Sequence, residues 1–172
     1  MHPPDAHKLA APALPRRGTT ANWFKGSVLQ KLTLASSSPY RRKLLSQLGV
    51  TFTSPSPDVD EARGDTEEPR ELAKRLARAK AEAVARTQPD AFVIGSDQVI
   101  CLGDEVLSKP GTAERAERQL ARLSGRTHQL ITAVCVIGPA GVAEEACVHQ
   151  MAMRDLTDTE IAAYVAEDEP FD

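Results

Sequence analysis

The chain has 172 residues, 41% of them hydrophobic and 26% charged, with a formal net charge of −3. This composition suits a single packed domain with a solvated surface and excludes a protein that coats nucleic acid non-specifically. No apolar run approaches the ~20 residues needed to cross a bilayer.

Residues 1–30 stand apart. Pro3, Pro4, Pro12 and Pro15 prevent a helix, and Lys8, Arg16, Arg17 and Lys25 face only Asp5. The segment lacks the apolar stretch of a secretory signal, and its prolines spoil a transit-peptide helix. It is expected to be a disordered extension preceding a domain over residues 31–172.

From there, strands and helices alternate. Leu32–Ala35 reads as a strand running into Ser36-Ser37-Ser38-Pro39, then a basic helix over Tyr40–Leu48 stopped by Gly49. Val50–Thr53 reads as a second strand, followed by the proline-rich loop Ser54–Pro57 and the acidic run Asp58-Val59-Asp60-Glu61. A helix is predicted over Pro69–Arg86, its buried face marked by Leu72, Leu76, Ala79, Ala83 and Val84. Ala91–Gly95 reads as a short buried strand, and Val99–Leu102 with Glu105–Leu107 as a hairpin around Gly103-Asp104. Thr112 caps a helix reaching Leu123. Residues 128–138 and 142–153 are two longer strands, and Thr157 with Glu160 forms a capping box for a helix near 158–167. The interleaving predicts an α/β fold with a mixed sheet, because the hairpins rule out a purely parallel one. Cys101, Cys135 and Cys147 form no C-x-x-C pair. They read as small core residues in a protein of the reducing cytoplasm.

Several side chains suit phosphate chemistry. Ser36, Ser38 and Arg41 crowd a helix start, where unpaired backbone N–H groups and a partial positive charge attract anions. The same spacing equally describes a serine cap followed by a solvated basic face. Asp97, in Ile94-Gly95-Ser96-Asp97-Gln98-Val99, is expected at the end of a buried strand. A carboxylate there could bind a divalent cation or take a proton from water, although turn chemistry explains it as well. Asp58, Asp60 and Glu61 suit Mg²⁺, a hard cation that prefers oxygen ligands, unless they form a solvated acidic loop. Lys80, in an alanine-rich stretch, and Lys109, fixed before Pro110, could neutralise phosphate oxygens. His128 starts a strand and reads as structural.

In order and spacing these segments resemble the Maf family of nucleotide pyrophosphatases over residues 31–172. The matching stretches are Leu34–Arg41, Asp58–Glu61, Leu76–Ala81, Ile94–Val99, Ser108–Pro110 and Leu123–His128. The resemblance implies an elongated, twisted mixed sheet flanked by helices. It also implies metal-dependent hydrolysis of a nucleoside triphosphate to its monophosphate and pyrophosphate. Asp97 then corresponds to the proton acceptor. Ser36, Ser38, Arg41, Lys80 and Lys109 correspond to substrate ligands, and Glu61 with Asp97 to the ligands of Mg²⁺ or Mn²⁺. Tyr40 and Gln98 fall at specificity positions. The branch acting on dTTP and UTP typically has arginine at the first of these and often threonine at the second, so both residues resemble the 7-methyl-GTP branch.

The resemblance implies a nucleotide partner, without nucleic acid or membrane, and a homodimer as the assembly to test for. Family members continue beyond the last helix, so the domain is expected to lack its closing elements. Two other readings are a catalytically weak nucleotide-binding regulator of septum formation and a triphosphatase of the inosine triphosphatase type.

Overall fold

The computed structural model describes residues 31–171; the expected N-terminal extension lies outside them. Five strands form one mixed sheet. β1 (Leu32–Ala35) is followed by α1 (Pro39–Ser46) and α2 (Pro69–Ala85). Next come β2 (Phe92–Leu102), β3 (Glu105–Leu107), α3 (Ala113–Leu123), β4 (Thr127–Gly138), β5 (Gly141–Ala152) and α4 (Asp158–Asp168). The sheet order is β1-β2-β4-β5, with β3 also on β2. Only β1 and β2 are parallel. The α/β class and mixed sheet expected from sequence are both present.

Strand β2 organises the molecule. Along one side it pairs with β4 from Val93 to Cys101. Its other side is shared: β1 pairs up to Gly95, and β3 pairs from Ile100 onward. Residues 96–99 of that side therefore lie in a gap between two neighbours. β1 runs parallel to β2 and β3 antiparallel, so both end at this gap. The loops that follow them, Ser36–Ser38 and Ser108–Pro110, converge on it from opposite directions. A break between strand ends is where open α/β sheets bind ligands.

Alternation along β2 sends Val93, Gly95, Asp97, Val99 and Cys101 to one face, and Ile94, Ser96, Gln98 and Ile100 to the other. The first face is covered by α2. Leu72, Ala73, Leu76, Ala77, Ala81 and Val84 pack there against Val93, Val99, Cys101, Ile131, Ala133 and Cys135. The buried arc of α2 thus runs through Ala73, Ala77 and Ala81, with the expected Ala79 and Ala83 only partly covered. Small residues on this arc let the helix lie close to β2. Gly95 marks a close approach: a Cβ there would strike the Ala77 carbonyl oxygen and stand 2.6 Å from the Ala81 nitrogen. A smaller cluster of Leu102, Leu107 and Leu123 joins α3 to β2 and β3. Ala116, Ile161 and Val165 join α3 to α4. The expected capping box at Thr157 and Glu160 is formed.

Four local expectations are corrected. Ala91–Gly95 and Val99–Leu102 are parts of one continuous strand, so Asp97 sits inside β2 rather than at a strand end. Val50–Thr53 forms no strand: only Thr53 pairs, as an isolated parallel bridge to Thr33. The first helix ends at Ser46 instead of Leu48, with Gly49 beyond it at φ 68°. Cys101 and Cys135 are buried thiols, but Cys147 is exposed on β5, where Ala146 alone is buried. No helix among the described residues is long and apolar enough to cross a membrane.

Candidate active site

The gap beside β2 opens into a cleft of about 480 Å³. One wall is the turn between β1 and α1. Ser36 is buried; its Oγ accepts from the Ser38 backbone N–H at 3.1 Å, and its carbonyl accepts from the Ser54 hydroxyl at 2.7 Å. Ser38 caps α1 by accepting from the Arg41 N–H. The extended segment near Thr53 holds this turn from beneath, with backbone bonds Leu34 N–H to Thr53 O and Ser36 N–H to Pro55 O. Segment 50–55 therefore braces the serine turn although it is not a strand. Ser36, Ser37, Ser38 and Arg41 all line the cleft, at the positive end of α1.

The floor is ionic. Lys80, buried on α2, directs its Nζ to Asp97 Oδ1 at 2.6 Å and to Glu61 Oε1 at 2.6 Å. Asp97 is 7% exposed, whereas the Glu61 side chain is half exposed. The hydrogen bond from Lys80 holds the Glu61 carboxyl below the usual glutamate range against the opposing effect of partial burial; Lys80, Lys109 and Arg41 add attraction. Burying a lysine and an aspartate together is tolerable because each neutralises the other. Gly95 makes the contact geometrically feasible, since α2 could not otherwise bring Lys80 over Asp97.

On the opposite wall, Lys109 follows β3, with Ser108 and Pro110 beside it in the lining. The cleft region thus gathers three cations, Arg41, Lys80 and Lys109, around two carboxylates, Glu61 and Asp97. Such a site accommodates an anion carrying several charges. The remaining lining is apolar or neutral and includes Ile100, Leu107, Leu120 and Leu123, with Gln98, Tyr40 and Tyr164. Tyr40 is 75% exposed, in the first turn of α1. The lining therefore combines charged groups with apolar and aromatic ones.

Ser36, Ser38, Tyr40, Arg41, Glu61, Lys80, Gln98 and Lys109 line this cleft, whereas Asp97 is buried behind Lys80 and does not itself line it, and the remainder of the acidic run stays away. Asp58 is exposed and does not line the cleft, and Asp60 Oδ1 accepts from the Ala62 N–H at 2.9 Å. Of the run, only Glu61 reaches Lys80. Among the described residues, no group of three His, Cys, Asp or Glu side chains is placed to hold a metal ion. His128 is buried outside the cleft, and its Nδ1 has no hydrogen-bond partner among the described residues. Tyr164 lines the cleft without a sequence signal that marks it. Its place between Ile161 and Val165, the buried residues of α4, resembles ordinary helix packing and conceals its approach to the cleft.

Residues 31–172 match the family described as Maf-like protein. The 7-methyl-GTP pyrophosphatase of Alkalilimnicola ehrlichii is 48% identical over 143 residues, covering 82% of this chain and 72% of the relative. The dTTP/UTP pyrophosphatase of Escherichia coli K12 is 45% identical over 145 residues, covering 84% and 74%. Among solved structures, the Staphylococcus aureus Ham1 protein shares the fold at a TM-score of 0.50 and 16% identity, covering 72% of this chain and 71% of that one.

Proposed function

The chain belongs to the Maf-like protein family, and we propose that it hydrolyses a nucleoside triphosphate to the monophosphate and pyrophosphate. The observation that carries this reading is the buried Lys80–Asp97 pair, with Glu61 on the same ammonium, at the floor of a cation-lined cleft. The names of the relatives support catalysis over a purely regulatory, nucleotide-binding role.

In this reading Ser36, Ser38, Arg41 and Lys109 seat the phosphates. Water attacks the α-phosphorus, forming a new P–O bond as the bond to the bridging oxygen breaks and pyrophosphate leaves. Lys80 engages Asp97 Oδ1, so Oδ2 receives the proton from the attacking water. Positive charge from Arg41, Lys80 and Lys109 stabilises the charge that builds on the leaving group.

Glu61 and Asp97 are the carboxylates that would hold a divalent cation; each now contacts the Lys80 ammonium at 2.6 Å, so the ion would take the place of that ammonium, freeing Lys80 for the phosphates. Mg²⁺ is commonly held by one or two carboxylates together with substrate phosphates. When bound, the ion would neutralise phosphate charge and polarise the reacting oxygens. The purified protein is expected to release pyrophosphate from a nucleoside triphosphate with Mg²⁺ or Mn²⁺ and to stop in excess chelator. Release of orthophosphate, or undiminished activity with chelator, contradicts the assignment. The unpaired thiols and the nucleotide substrate suit the cytoplasm.

Relatives of both named specificities lie at similar identity, so the substrate preference rests on particular side chains. Tyr40 at the cleft supports 7-methyl-GTP. N7-methylation gives guanine a positive charge that an aromatic face attracts and an arginine repels. Tyr40→Arg is expected to erode the kcat/KM preference for 7-methyl-GTP over UTP by roughly twofold to thirtyfold in one buffer. An unchanged ratio removes Tyr40 from base recognition.

A further inference from the structure

We propose that Thr132 is a positioning residue for base recognition, acting through Gln98; the inference rests on the pyrophosphatase reading. Gln98 lies in the gap region of β2, on the face opposite Asp97, and its exposed side chain lines the cleft. Its partner across the β2–β4 ladder is Thr132. The Gln98 side-chain Nε2 donates to Thr132 Oγ1 at 2.8 Å.

This bond anchors the side chain that the cleft meets. A glutamine amide has two ends of opposite hydrogen-bonding character. In the arrangement found, Nε2 donates to the threonine hydroxyl and Oε1 is the end left to accept from a ligand; a hydroxyl can bond either end, so what the contact fixes is the direction of the side chain. A 7-methylguanine ring is a suitable counterpart: its positive charge strengthens its N–H groups as donors and favours a carbonyl dipole facing it. The hydroxyl also holds the side chain in one rotamer, so less freedom is lost on binding. Thr132 itself is absent from the cleft lining, which is why its role is positioning.

The same ladder separates recognition from chemistry. Asp97 pairs with Ala133 and Gln98 with Thr132, and neighbouring residues of a strand point to opposite faces. Replacing Thr132 thus alters the face that carries Gln98 and leaves the Lys80–Asp97 face untouched.

The test is a double-mutant cycle with 7-methyl-GTP and UTP on the full chain. Thr132→Val keeps the β-branched shape and removes the acceptor. It is expected to raise KM for 7-methyl-GTP by about threefold to tenfold, with kcat within about twofold. Thr132→Ser should stay within about twofold of the wild type. In a Gln98→Ala background, Thr132→Val should add no further loss. Thr132→Ala, which removes the hydroxyl without adding bulk, is measured in parallel and decides the test if the valine variant misfolds. Equal losses with and without Gln98, or an unchanged KM in both Thr132 variants, overturn the inference while the pyrophosphatase reading stands. A wild-type protein that hydrolyses neither substrate overturns both.

Discussion

Asp97→Asn is expected to lower kcat by roughly 10²–10⁴-fold, the usual effect of losing a general base. The amide nearly matches the carboxylate in shape but takes no proton and is a poor ligand for Mg²⁺. The fold should survive: Lys80 keeps Glu61 at 2.6 Å, and the asparagine oxygen can still accept from its ammonium. That separates this variant from one leaving a buried charge alone, which typically costs about 3–5 kcal/mol. A normal circular dichroism spectrum with kcat reduced at least a hundredfold agrees with the role assigned to Asp97. Near-normal kcat in a folded variant contradicts it.

The second large effect is expected at a residue that carries no reactive group. Gly95→Ala places a methyl against the Ala77 carbonyl, 2.6 Å from the Ala81 nitrogen and 2.9 Å from its Cβ. Two of these three atoms are helix backbone, so α2 as a whole must move. Overpacking a core costs about 1–3 kcal/mol and occasionally more, a fall in Tm of roughly 2–12 °C for a chain of this size. Because α2 carries Lys80, the shift also draws its ammonium away from Asp97. A displacement of about 1 Å near reacting groups can cost ~10²-fold in rate. Gly64→Ala is the control, since its nearest new neighbour is Glu67 Cβ at 3.6 Å. Calorimetry and kcat on the two variants should therefore diverge sharply, and parallel behaviour would show that Gly95 does not set the helix-to-sheet spacing.

These two positions also explain where sequence was readable and where it was not. Helices α2, α3 and α4 announced themselves through apolar spacing and through Thr112 and Thr157 as caps, and they stand close to where they were expected. In sequence β2 reads as two pieces because Gly95-Ser96-Asp97 strings together three residue types common in turns. Two of them sit in the strand for a reason supplied from elsewhere: Gly95 by contact with α2, Asp97 by Lys80. A single sequence does not reveal contacts between segments far apart in the chain. Segment 50–53 failed in the opposite sense. Its β-branched residues suggested a strand, yet only Thr53 reaches β1, and the chain then turns through Ser54 and Pro55 to brace the serine loop.

The site was more legible than the strand that carries it. Serines before a helix, a lysine among alanines and an aspartate after a buried run each point to chemistry by residue type, and the fold brings them to one place. The acidic run promised three carboxylates and delivered Glu61 alone, because consecutive side chains in an extended loop point different ways. The apolar side of the cleft is the least visible in the sequence. Tyr164, Leu120 and Ile100 look like core residues until α3, α4 and β2 enclose the cleft. Thr132 has no meaning until the register of β2 and β4 sets it beside Gln98.

The central claim concerns which bond is broken and by what. Hydrolysis of a nucleoside triphosphate in ¹⁸O-enriched water with Mg²⁺, with the products resolved by mass spectrometry, tests it most directly. Attack of water at the α-phosphorus predicts nucleoside monophosphate and pyrophosphate in equal amounts, with the label in the monophosphate. Label in pyrophosphate, or formation of a nucleoside diphosphate with labelled orthophosphate, would contradict it.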